Sequence, residues 1–125
     1  MDKVLLVGIG GFIGATLRYF IGSLVHRYID AARFPYGTLT VNLVGCLAIG
    51  FLAGLVETRG ILTPESRAFA FIGILGAFTT FSTFGYETIS FLRDGRTLPA
   101  LANVGLHVLL GLAAVWVGDA ISRVM

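Results

Sequence analysis

Four long stretches with little or no charge divide this chain, and they limit its fold more than any other feature. Residues 4–25 are interrupted only by Arg18, and residues 34–56 carry no charge. Residues 68–92 contain only Glu87, and residues 97–118 again carry none. A helix rises about 1.5 Å per residue, so about 20 apolar residues cross a hydrocarbon core about 30 Å thick. Each run meets that length. The expectation is an all-α membrane protein, one domain over 1–125, with four transmembrane helices at approximately 4–25, 34–56, 68–92 and 97–118. Composition agrees: 13% of the 125 residues are charged and 56% are hydrophobic. A soluble domain this small exposes over a third of its surface, and these charges could hardly cover it.

The connectors fit the same division. Polar residues gather between His26 and Arg33, and Pro35 with Gly37 opens the second run. Residues 57–67 hold Gly60 and Pro64, with Thr63 placed as a helix cap before Pro64 and Glu65. Arg93-Asp94-Gly95-Arg96 is a short polar turn. Lys3 followed by an apolar run invites a signal-peptide reading, but Arg18 within the run and three further spans argue against it. The net charge of +2 comes from arginines that never cluster, so no nucleic-acid surface is expected. A single cysteine, Cys46, excludes an internal disulfide and a cysteine-only metal site.

Basic residues near span ends normally collect on the cytoplasmic side. Here Lys3, Arg59, Arg67 and Arg123 fall on the side of both termini, and Arg27, Arg33, Arg93 and Arg96 on the other. The tally is four against four, so insertion in both orientations is expected. The corresponding working unit is an antiparallel, dual-topology dimer. Gly10 with Gly14, and Gly50 with Gly54, have the spacing that lets helix backbones approach closely.

At membrane depth every polar group needs a partner, so polar residues in mid-span carry the most information. Thr38, Asn42, Cys46 and Gly50 form one stripe along the second span. Asn42 there serves either as interhelical glue or as a donor to a bound solute. The third span holds Gly76-Ala77-Phe78-Thr79-Thr80-Phe81-Ser82-Thr83-Phe84-Gly85. Glycines weaken a helix, and hydroxyls offer its carbonyls other partners. A break in the third span is therefore expected near residues 76–80, with freed carbonyls available to a cation.

Phe81 and Phe84 would share a face beside Ser82 and Thr83. Aromatic ring edges are electropositive, so together with hydroxyls and an asparagine amide they suit a small dehydrated anion. Arg18 either snorkels to the interface or draws anions into a vestibule. The sequence leaves open whether Glu87 titrates, and it assigns His107 to helix–helix bonding more readily than to ligation. Nucleophilic triads, phosphate loops and zinc spacings are absent, so no enzyme is expected.

The run from Gly76 to Phe84, preceded by Gly37-Thr38-Leu39-Thr40-Val41-Asn42 and by Gly10-Gly11 through Gly14 to Arg18-Tyr19, closely resembles the CrcB (Fluc) fluoride channels. That resemblance covers nearly the whole chain. It implies a dual-topology antiparallel homodimer in the cell inner membrane, with two fluoride pores and a central structural sodium ion. The sodium ligands would be the backbone carbonyls of Gly76 and Thr79 from both copies. Phe81 and Phe84 would be the aromatic groups contacting fluoride, with Asn42, Ser82, Thr83 and Thr38 along the permeation route and Arg18 at the vestibule. One departure is plain: residues 111–115 carry no hydroxyl where family members often have them. Some relatives work as pairs of non-identical chains, so a paralogous partner stays open beside the homodimer.

The function this implies is passive export of fluoride, which lowers its toxicity in the cytoplasm. Neutral hydrogen fluoride enters, dissociates and leaves the anion trapped, and a negative-inside potential drives that anion out through a pore. A small multidrug-type proton-coupled transporter is the rival with the same span count. It needs a mid-membrane carboxylate, for which Glu87 is the candidate. A non-transporting membrane subunit is the other alternative.

Overall fold

The computed structural model describes residues 2–30 and 33–125, and every regular element among them is helical. Helix α1 covers Lys3–Tyr28 and α2 covers Tyr36–Arg59. The third span, Pro64–Arg93, is composite. It contains α3 (Pro64–Arg67), a π-helical stretch (Ala68–Leu75), α4 (Gly76–Phe78) and α5 (Phe81–Arg93). Helix α6 covers Thr97–Val124. Among the described residues four helices, counting the third span as one, are long and apolar enough to cross a membrane. Each runs a few residues beyond one or both ends of its uncharged core. The first connector includes Ala31 and Ala32, which lie outside the described residues.

Local chemistry explains where these helices begin and end. Gly60 closes α2 at φ +62°, a left-handed conformation that costs glycine little, and its N–H donates to the Val56 carbonyl. Thr63 caps the third span, its hydroxyl oxygen accepting from the Ser66 N–H at 3.2 Å, and Pro64 occupies the first turn. At the other end of that span Gly95 turns at φ +71°. Arg96 then donates to the Arg33 carbonyl at 2.9 Å and lies over the Phe91 ring, which ties this turn to the first connector.

Glycines set the packing. A Cβ on Gly50 would run into the Val115 carbonyl of α6, and one on Gly118 of α6 would run into the Leu47 carbonyl of α2. The two helices therefore touch backbone to backbone around Gly50 and Gly118. On the other side of the bundle, a Cβ on Gly10 would lie 2.6 Å from the Phe69 carbonyl oxygen and 3.0 Å from the Gly73 Cα, and one on Gly14 would strike the Ile74 carbonyl. Both glycine pairs are packing surfaces. The second one seats α1 against the π-helical stretch, where the Gly76 N–H reaches back to the Phe71 carbonyl, five residues away. That wider winding has no signature in the residue order, where residues 68–75 show only an apolar run.

Candidate functional site

Thr79 and Thr80 sit near the middle of the third span by residue count, and both have extended backbone: φ −82°, ψ 159° for Thr79 and φ −148°, ψ 112° for Thr80. The Thr79 N–H and hydroxyl still donate to the Leu75 carbonyl, at 3.1 and 3.0 Å, but the Thr79 carbonyl and both backbone groups of Thr80 are met from other helices. The Asn42 Nδ2 donates to the Thr80 carbonyl at 3.1 Å, and the Thr80 N–H donates to the Asn42 Oδ1 at 2.8 Å. The Arg18 Nη1 reaches the Thr79 carbonyl at 3.4 Å. Thr80 also starts α5, its hydroxyl accepting from the Thr83 N–H at 3.3 Å and donating to the Thr83 hydroxyl at 2.8 Å. The two hydroxyl oxygens of Thr80 and Ser82 lie 3.5 Å apart.

This arrangement frees carbonyls. The α-helical donor to the Gly76 carbonyl would be the Thr80 N–H, which is held by Asn42. For the Thr79 carbonyl it would be the Thr83 N–H, which is turned to the Thr80 hydroxyl. Both oxygens lack their regular intrahelical partner.

An open-sided cleft of about 400 Å³ runs along this segment. Asn42, Cys46, Gly76, Thr79, Thr80, Phe81, Phe84 and His107 are among its lining residues. The Phe81 and Phe84 rings are 5.4 Å apart and tilted by 57°. Phe84 in turn packs on the His107 ring at 4.5 Å, whereas Phe81 is 83% exposed in this chain. Hence Asn42, Phe81, Phe84, Gly76 and Thr79 come together as one surface. Ser82 and Thr83 lie on the first turn of α5 outside the cleft lining, engaged with Thr80. Thr38 is buried one turn before Asn42, and its hydroxyl donates to the Glu87 carboxylate at 2.6 Å. Arg18 also lies outside the lining and touches it through Thr79.

A second polar chain crosses from α5 to α6. The Thr88 hydroxyl donates to the Phe84 carbonyl at 2.8 Å and accepts from the Asn103 Nδ2 at 2.9 Å. Asn103 is fully buried. Its backbone carbonyl accepts from the His107 Nδ1 at 2.9 Å. His107 therefore bonds within its own helix and meets the neighbouring helix through a ring contact, a role that residue spacing along α6 did not reveal. The sole signal was its one-turn offset from Asn103.

Residues 5–119 match the family described as CrcB-like protein, Camphor Resistance (CrcB). A protein of Methylobacillus flagellatus named fluoride-specific ion channel FluC is 45% identical over 118 residues, spanning 94% of this chain and 92% of its own length. Fluoride-specific ion channel FluC 3 of Methanosarcina barkeri is 44% identical over 122 residues, 98% of this chain and 91% of that one. The FluC of Nitratidesulfovibrio vulgaris is 41% identical over 125 residues, the full length of both.

Proposed function

The chain belongs to the CrcB family, and from that premise we infer that it is a multi-pass membrane protein forming a fluoride-selective channel, not an enzyme. One observation carries the reading. In mid-span, an extended two-residue link held by Asn42 stands beside the paired rings of Phe81 and Phe84. A hydrocarbon core tolerates such backbone only where it is buried in protein or lines an aqueous path.

Within this reading each residue has a role. Asn42 uses one amide hydrogen on Thr80 and keeps the other for the anion. Ring edges of Phe81 and Phe84 replace part of the hydration shell that fluoride sheds. Hydroxyls of Ser82, Thr83 and Thr38 extend the polar route on either side, and Arg18, which reaches the Thr79 carbonyl rather than standing at a vestibule, contributes positive potential beside the extended link. Export is passive, driven by a negative-inside membrane potential.

The working unit is two copies in opposite orientation in the inner membrane. The balanced charge tally and the exposed Phe81 ring, which a second copy would cover, support that assembly. The carbonyls of Gly76 and Thr79, released from their intrahelical donors, would be the ligands of a hard cation such as sodium, two from each copy, with the second lone pair of the Thr79 oxygen left beside its 3.4 Å contact to Arg18. Bound there, the ion would offset the self-energy of a nearby anion and join the two extended links. The test is fluoride efflux from liposomes containing only this purified chain, with chloride as control. Rapid fluoride release with chloride retained is expected, and retention of both ions would end the channel reading.

A further inference from the structure

His107 is the only polar side chain that α6 contributes to the cleft lining among the described residues; Val108 is its other contribution. The Nδ1 of His107 faces the Asn103 carbonyl, and a carbonyl only accepts, so Nδ1 carries a hydrogen. The ring's remaining freedom is at Nε2. In the neutral imidazole that atom is a lone pair, and in the imidazolium it is a donor. It is buried and has no partner among the described residues, while its ring packs against Phe84 at a tilt of 42°. A buried polar atom without a partner marks a place where the protein alone is incomplete.

Building on the channel reading, we propose that His107 is a further anion-recognition residue, whose protonated Nε2–H donates to fluoride beside Phe84. The neutral ring would turn a lone pair towards the anion and repel it, so acidification raises fluoride flux. Other ionisable groups surround this site. Glu87 on α5 is held by Thr38 of α2, Cys46 of α2 lines the same cleft, and Arg18 of α1 reaches the Thr79 carbonyl. The π-helical stretch adds none, and α6 adds none between Arg96 and Asp119. Protonation of Glu87 would also ease anion passage, so the two groups must be separated by substitution.

Fluoride efflux from liposomes is measured for the wild-type chain, H107Q and E87Q, with leak through protein-free vesicles subtracted. Between pH about 7.5 and about 5.5, which brackets the ordinary imidazole range, the wild-type rate is expected to rise at least about threefold. H107Q keeps an amide donor that does not titrate and should give a flat profile, whereas E87Q should retain the slope. A flat wild-type profile, or a slope surviving in H107Q, overturns the proposal and leaves the channel reading standing. Absence of fluoride flux at every pH removes the channel reading and this proposal with it.

A second measurement guards against a variant that does not assemble. In wild-type protein followed by ring NMR, sodium fluoride should raise the titration midpoint of His107 and leave that of His26 in place, and sodium chloride should move neither. A His107 midpoint indifferent to fluoride overturns the proposal.

Discussion

Asn42 grips Thr80 from both sides of one amide, donating through Nδ2 to the threonine carbonyl and accepting its N–H at Oδ1, at 3.1 and 2.8 Å. A side-chain amide thus replaces the helix neighbours that an extended residue has lost. In the Asn42→Ala protein both backbone groups of Thr80 are left without a partner at membrane depth, at a cost of about 1–3 kcal/mol for each buried group. A lowered unfolding temperature in detergent and loss of fluoride efflux are the expected outcomes. Unchanged values for both would show that the link does not depend on this clamp.

Phe81 and Phe84 invite a change that keeps volume and removes the ring. Replacing either with Leu leaves a similar apolar bulk but no electropositive edge. Fluoride efflux should fall at least about tenfold with little change in thermal stability. Full retention of efflux would remove the rings from the permeation route.

Helix contacts give a prediction free of any transport assumption. A Cβ at Gly50 meets the α6 backbone, whereas one at Gly8 meets nothing within 4 Å. Gly50→Ala should destabilise the fold by about 1–3 kcal/mol through overpacking against backbone that cannot yield. Gly8→Ala should be neutral or stabilising by up to about 1 kcal/mol, since alanine favours helix. Thermal melts of the purified proteins compare the two directly.

The even distribution of arginine and lysine between the two sides makes orientation easy to bias. Lysines appended after Met125 should fix the termini in the cytoplasm, and lysines added at the Arg93–Arg96 turn should fix the reverse. Each biased form alone should give no fluoride resistance to sensitive cells, and co-expression of the two should restore it. Resistance from one biased form alone would rule out the antiparallel assembly.

Several levels of this protein can be read from its residue order, and others cannot. Residues 68–92 announce a membrane span because the cost of charge in hydrocarbon is set by composition along the chain, whatever surrounds it. Thr63 before Pro64 and Gly60 after α2 mark helix ends for an equally local reason, the need to satisfy or release the last backbone groups. Gly50 and Gly10 announce close packing, but not which neighbour fills the space.

The partners were decided in three dimensions. Nothing within the stretch from Thr38 to Asn42 says that the first hydroxyl meets Glu87, or that the amide closes on Thr80, 38 positions away. Likewise His107 reads as one polar residue in an apolar helix until α5 brings Phe84 against its ring. Span count, helix ends and the presence of polar groups at depth followed from the sequence itself, because solvation and local backbone energetics act residue by residue. The pairing of those groups, and the cleft they line, came only with the tertiary structure, because a hydrogen bond between distant residues exists only once packing has fixed the distance between them.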